Sequence, residues 1–500
     1  MIPLRPSWDE FCSLAHSHNL VAVWAELAAD YETPLAAFRK IAVPGQHAFL
    51  LESAENSQVS GRYSFLGASP RAVFQARGQT VRITEKGEAR EFLSATNPLQ
   101  DLERYMNDFR PAPAPHLPVF RGGAVGFLAY DAVRYFEPTV PPPPPDDLGL
   151  PDMDYMIADT LIIFDHRYRL MQVVANVCLD DFAAPEEAYA EARRKIEALV
   201  RQLEAPLTFR LMATEGAATE PASAASTMTR AAYTGAVRQG KEYIAAGDIF
   251  QFVPSQRFET DFTGDPIDLF RALRHINPSP YMFCLLYPEG YALVGSSPEV
   301  HVRCLNGKVE VRPIAGTRPR GETPEQDEAL AVELRADPKE CAEHVMLVDL
   351  ARNDVGRAAD FGSVEVSDFM VIERYSHVMH IVSHVSGTLR AGKSVYDVMA
   401  ATFPAGTVSG SPKVRAMQII NELEPTKRNA YAGAVGYFGF DGNLDSCIAL
   451  RTCVLKNGKA YVQAGAGIVA DSNPDLEYEE TVNKAKGMLR AVERAKWLGE

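Results

Sequence analysis

Strand-like segments recur along this chain without a helix returning after each one. Residues 73–74, 81–83, 161–164, 309–312, 378–385, 448–455 and 461–463 are rich in β-branched and apolar side chains and read as strands. Helical periodicity falls instead at 186–203, 231–246, 325–354, 414–422 and 477–496. A parallel sheet needs a crossover, usually a helix, between successive strands. That alternation is missing, so the chain is expected to be α+β with large, mainly antiparallel sheets.

Two segments punctuate the order. The five prolines at 141–145 read as an extended polyproline connector. Residues 204–230 are rich in Ala, Thr, Ser and Glu and nearly empty of large apolar side chains after Met212, the composition of a linker or disordered loop. The expected organisation is 1–203, a linker at 204–230, and 231–500. Gly123-Ala124-Val125-Gly126-Phe127 returns as Gly433-Ala434-Val435-Gly436-Tyr437. That echo suggests two related sheet layers and an internal duplication, with small residues where strands approach closely.

With 46% hydrophobic and 23% charged residues, the chain has the composition of a soluble globular protein. No apolar run approaches the roughly 20 residues of a membrane span, and the first residues lack a signal-peptide core. Seven scattered cysteines form no CxxC pair, so neither a disulfide framework nor a zinc site is expected, and a reducing, cytoplasmic setting is. A net charge of −15 argues against nucleic acid as a partner but leaves room for a small anion held by local donors.

Two stretches pair glutamates three apart behind a capping residue and a proline. They are Asp337-Pro338-Lys339-Glu340-Cys341-Ala342-Glu343 and Asn473-Pro474-Asp475-Leu476-Glu477-Tyr478-Glu479-Glu480. Residues at i and i+3 share a helical face. Such glutamates either complement a helix dipole or, if the two helices meet, converge as an all-oxygen site for magnesium rather than zinc.

Ala464-Gly465-Ala466-Gly467 is either a tight turn or a place where backbone N–H groups meet an anion. The turn 313–321 carries Arg318 and Arg320, either solvated or contacting a ligand carboxylate or hydroxyl. Arg451 lies in the apolar run 447–455, where alternation groups it with Ala449 and Cys453, either facing solvent or paired with an anion in a cleft. His377, His380 and His384 divide between the two faces of a strand, which argues against a shared metal and leaves a core histidine or a proton-transfer role. The loop 403–413 either caps the following helix or offers N–H groups and Thr407 to a ligand.

Together these segments resemble the chorismate-utilising enzymes. The matching stretches are 313–321, 337–357 (DPKECAEHVMLVDLARNDVGR), 375–387, 403–412, 431–451 and 463–484, in the family's order. The first half matches through Leu50-Leu51-Glu52-Ser53 and Gly61-Arg62-Tyr63-Ser64-Phe65.

The resemblance implies two large sheets packed as a sandwich with flanking helices. It implies Mg2+ held directly by Glu343 and Glu480, with Glu340 and Glu477 holding ordered waters. Arg451, the backbone of Gly465, Ala466 and Gly467, and Lys484 are implied contacts to chorismate carboxylates, and Gly316, Thr317 and Tyr431 further substrate contacts. His380 matches the catalytic histidine that assists loss of the C4 hydroxyl, with Thr407 beside it. Ser53, Pro280, Tyr281 and Met282 match the tryptophan feedback site.

Isochorismate and salicylate synthases place a lysine base where this chain has Gln251, and aminodeoxychorismate synthases a lysine nucleophile where it has Ala315. Without either lysine, ammonia adding at C2 remains. The implied activity is formation of anthranilate and pyruvate from chorismate, the first step of tryptophan biosynthesis. No cysteine lies in a Gly-x-Cys-x-Gly elbow, so a separate glutamine amidotransferase subunit is the implied ammonia donor, giving a hetero-oligomer. The rivals are an aminodeoxychorismate synthase and a non-catalytic, tryptophan-responsive protein on the same fold.

Overall fold

A computed structural model describes residues 2–53, 61–209, 211–212, 220–375 and 378–499. Two large sheets dominate it, and every strand ladder in them is antiparallel. One runs from Leu20–Ala28 at one edge, through Ala48–Glu52, Tyr281–Tyr287, Tyr291–Ser297, Thr452–Lys456 and Lys459–Gly465, to Ala225–Ser226. The other runs from Ile314–Pro319 and Val378–Thr388, through Val300–Leu305, Leu444–Ile448, Ala434–Gly439 and Gly123–Leu128, to Glu88–Leu93.

The sheets pack face to face. Phe49, Ile163, Phe283 and Leu293 of the first meet Val125, Phe127, Met156 and Tyr437 of the second in one apolar cluster. Helices cover the outer faces: Pro185–Leu203, Pro266–Ile276 and Pro474–Gly499 on the first sheet, Pro98–Asn107, Pro338–Ala358 and Val395–Thr402 on the second. The expected α+β sandwich is the observed fold.

Three sequence expectations change. The echoing segments do not mark two layers; Gly123–Leu128 and Ala434–Gly439 are neighbours in one sheet, with Gly126 opposite Gly436. Their glycines have a common cause. A Cβ at Gly126 would lie 1.9 Å from the Asp154 carbonyl oxygen, and one at Gly436 2.1 Å from that of Asp445. Second, both sheets take strands from before and after 204–230, so neither flanking region has a sheet of its own. Residues 210 and 213–219 lie outside the described part. The rest of that stretch includes buried Ala222 and Met228 and the edge strand Ala225–Ser226, so it is not a free linker.

Third, 448–455 is not one strand. Leu444–Ile448 belongs to one sheet and Thr452–Lys456 to the other, and the chain crosses between them at 449–451. Arg451 has a φ of +46°, a left-handed conformation that ends the period-two alternation. The grouping of Arg451 with Ala449 and Cys453 therefore fails: those two are fully buried, while Arg451 opens into a cavity.

Candidate active site

That cavity, of about 800 Å³, is where the two helix starts meet. The single helix expected over 325–354 is two, Pro324–Ala336 and Pro338–Ala358, with Asp337 ending one and capping the next. Asp337 Oδ1 accepts from the N–H groups of Lys339 (3.0 Å) and Glu340 (3.2 Å). Asn473 Oδ1 does the same for Asp475 (3.0 Å) and Leu476 (3.3 Å) at the start of Pro474–Gly499. Both caps are local and were legible in the sequence.

Glu340, Glu343, Glu477 and Glu480 line this one cavity. The Glu343 carboxyl is pushed up by burial, with further contributions from the charges of Glu340 and Glu480. Burial also raises Glu477, and Glu480 adds to it. Mutual repulsion among oxygen-only donors is what a hard divalent cation relieves. As placed, however, no three ligating side chains among the described residues are grouped closely enough to hold a metal. Three of the four lean on protein donors instead. Gln251 Nε2 donates to Glu343 (3.1 Å), Lys484 Nζ lies 2.7 Å from Glu480, and Arg318 is 3.6 Å from Glu340. The four carboxylates share a wall but stop short of a ligand cluster.

Arg451 also faces the cavity, with Nη1 3.4 Å from Asn277 Oδ1. Among the described residues no ion pair is formed by it, and enclosure by protein lowers its pKa. A guanidinium so held stays charged and seeks an anion. Gly465 and Gly467 line the cavity too. Ala466 does not fit its expected role: its N–H donates to the Pro254 carbonyl (3.2 Å), and its methyl packs with Phe252 and Ile468. Just past the end of the strand Lys459–Gly465, it is turned into that cluster and away from the cavity. Lys484 donates to the Gly465 carbonyl at 3.0 Å as well as pairing with Glu480, so the glycine turn and the acidic wall are tied together.

Gly316, Thr317, His380, Tyr431 and Thr407 complete the expected set in the same cavity, with Gln251 and Ala315. His380 Nδ1 lies 2.9 Å from the Gly316 carbonyl and 3.1 Å from Thr317 Oγ1. A carbonyl only accepts, so the proton sits on Nδ1 and Nε2 is left as an acceptor. Burial lowers the His380 pKa, keeping the ring neutral at pH 7. His384 turns instead to Ser367 (3.0 Å) and Glu310 (3.5 Å), and His377 is outside the described residues.

Sequence reasoning missed Glu299. It follows Ser297-Pro298 at the gap between Tyr291–Ser297 and Val300–Leu305, and lines the cavity beside Thr407. Burial raises its pKa to about 8, against the lowering pull of Thr407 and Lys484. At neutral pH this carboxyl keeps its proton. A proline-glutamate break between two apolar strands was the available signal.

The four residues expected at a feedback site lie at the ends of two adjacent strands but on different faces. Ser53 follows Glu52, which pairs with Met282, and Pro280 reaches the cavity. Met282 packs under the helices, while Tyr281 points between the sheets, donating to Asp445 Oδ1 (2.9 Å) and accepting from Arg303 (2.8 Å).

The chorismate binding enzyme family pattern matches residues 46–490. The chain is 48% identical to anthranilate synthase component 1 of Pseudomonas aeruginosa, over 97% of this chain and 98% of that one. It is 45% identical to anthranilate synthase component 1 of Acetivibrio thermocellus, over 98% and 99%. Among solved structures, anthranilate synthase component I of Streptococcus pneumoniae superposes with a TM-score of 0.74 at 37% identity, covering 87% of this chain and 93% of that one. The menaquinone-specific isochorismate synthase of Escherichia coli, at 17% identity, superposes with a TM-score of 0.69 over 97% and 98% and shares the fold. A cavity that brings carboxylates and Arg451 together, on this sandwich and with these relatives, makes the chain a member of the chorismate-binding enzymes.

Proposed function

We propose that this chain is the large subunit of an anthranilate synthase, a lyase that turns chorismate and ammonia into anthranilate and pyruvate. Near-full-length identity of 45–48% to proteins named anthranilate synthase component 1 supports this over the sister activities. One observation carries the choice of reaction: Gln251 and Ala315 stand in the cavity where a water-activating or attacking lysine would be needed.

Chorismate brings two carboxylates. Arg451 and Lys484 are the cations that would meet them, and Mg2+ bound by Glu343 and Glu480, with Glu340 and Glu477 behind, would offset charge on the ring carboxylate. The all-oxygen donor set and the raised carboxyls support that assignment. Ammonia adds at C2 while the C4 hydroxyl leaves as water. Glu299 is the protonated group placed to supply that proton, with Thr407 beside it. Neutral His380, held by Gly316, offers Nε2 as an acceptor along the same wall. Loss of the C2 proton and of pyruvate then makes the ring aromatic.

The component 1 naming of the relatives supports a second component, which we assign as a glutamine amidotransferase supplying ammonia. Tryptophan is the proposed inhibitor, at the strand ends around Ser53 and 280–282. Seven free thiols suit a reducing cytoplasm, and among the described residues no helix is long and apolar enough to cross a membrane.

Purified chain supplied with chorismate, Mg2+ and ammonium should develop anthranilate fluorescence that tryptophan suppresses. A para-amino product instead would make it an aminodeoxychorismate synthase. Silence at saturating ammonium would favour a non-catalytic protein.

A further inference from the structure

Between the helix Lys413–Leu423 and the strand Ala434–Gly439 lie Glu424 and Arg428, an ion pair 2.6 Å apart with side chains 4% and 2% exposed. Burying two charges is unfavourable unless their remaining donors and acceptors are satisfied. Here they are spent on the backbone of the cavity walls. Arg428 Nη1 donates to the Val408 carbonyl (2.8 Å), and Nη2 to the Val253 carbonyl (2.5 Å). Glu424 Oε1 accepts from the Ser255 N–H (2.7 Å) and from its hydroxyl (2.8 Å). That hydroxyl in turn accepts from Gln463 Nε2 at 2.8 Å. The guanidinium also lies 5.6 Å from the Tyr431 ring centre.

These contacts end next to the residues that meet the ligand. Val408 follows Thr407, Val253 is two residues beyond Gln251, and Gln463 is two before Gly465. The segment holding Gln251 belongs to neither large sheet; Phe252 is bridged to Ile468 by backbone hydrogen bonds on one side, and the Thr407 side is joined by a short ladder. Gln251–Phe252 and Gly410–Ser411 form a ladder of two residues each, and Val253 and Val408 flank it.

We infer that Glu424 and Arg428 are positioning residues for the proposed reaction, a buried clamp that sets the spacing between the Gln251 and Thr407 walls. The inference rests on the reading of the site given above. A planar guanidinium reaches two segments at once from one rigid fork, which a lysine ammonium cannot do.

Arg428→Lys and Ser255→Ala test it, with amide hydrogen exchange of the substrate-free chain measured beside melting and ammonium-dependent kinetics. Arg428→Lys should melt cooperatively yet exchange about tenfold faster over 250–256 and 406–412, with 434–439 unchanged. Its kcat should fall about 10- to 100-fold while KM for chorismate stays within about threefold, because Arg451 and Lys484 are untouched. Ser255→Ala should lose about three- to tenfold in kcat, with faster exchange confined to 250–256 and 462–465. Normal exchange or normal kcat in Arg428→Lys overturns the clamp. If that variant does not fold, wild-type kcat and exchange in Ser255→Ala overturn it. Absence of anthranilate from the wild-type chain would count against the reaction alone, since the exchange comparison needs no turnover.

Discussion

Replacing Glu299 by Gln removes one proton and little volume, and the size of the effect follows from the structure. The carboxyl has a pKa of about 8 in the fold against an ordinary 4.5. At ~1.4 kcal/mol per pH unit, ionising it inside the protein costs up to about 5 kcal/mol, less to the extent that cavity water solvates it. The folded chain therefore keeps this proton between about pH 4.5 and 8, where the unfolded chain has lost it. Stability from the group is fully present below the unfolded value and drains away as pH rises through about 8. Glu299→Gln has no such loss, so its urea midpoint should decline less steeply than wild type between pH 6 and 9. Catalysis should move the other way. Wild-type kcat should be level up to about pH 7 and then drop as the proton leaves above pH 8, while Glu299→Gln should be down about 10²- to 10⁴-fold with no alkaline limb. The assay is anthranilate fluorescence at saturating chorismate and Mg2+, with free ammonia held constant because its fraction rises with pH. A variant within threefold of wild type at pH 7, or a wild-type profile still level at pH 9.5, would refute the assignment.

Other expectations are as direct. Mg2+ should raise the melting temperature of wild type, and Glu343→Gln and Glu480→Gln should each abolish both that rise and turnover; a retained shift in either removes that residue from the proposed metal site. Arg451→Met should raise KM for chorismate about 10- to 100-fold, the worth of a charge-assisted hydrogen bond at about 1.5–3 kcal/mol, with kcat less affected. An unchanged KM would mean that the arginine does not meet substrate. Gly436→Ala should cost about 3 kcal/mol or prevent soluble expression, since its Cβ would fall 2.1 Å from a neighbouring backbone oxygen; a urea midpoint equal to wild type would refute the close approach.

Much of the site was readable before any coordinates. The Asp337-Pro338 and Asn473-Pro474 caps, with glutamates at i+3 spacing, are local devices, and the structure keeps both. Lys484, Arg451, Thr407 and His380 reach the same cavity as those glutamates. What failed were inferences that extended a local period past a non-local interruption. Alternation through 447–455 assumed a continuous strand, but the crossing between sheets at Arg451 breaks it. Ala466 looked like its glycine neighbours in composition, yet the approach of Pro254 takes its N–H. The composition of 204–230 suggested a boundary, and the pairing of Ala225–Ser226 with Ser255–Asp261 shows part of it built into a sheet.

The sequence by itself determined where the two glutamate-bearing helices begin, that the strands form mainly antiparallel sheets, and which side-chain chemistries were on hand: oxygen donors, two cations, a histidine and a glycine turn. Those follow from capping, periodicity and residue type, which act over a few neighbours. Only the tertiary structure decided that Gly126 and Gly436 are strand partners, that Glu299 keeps its proton, and that Glu424 and Arg428 hold two cavity walls from behind. Burial, dielectric and hydrogen-bond partnership are set by residues far apart in the chain, such as the 175 positions between Val253 and Arg428.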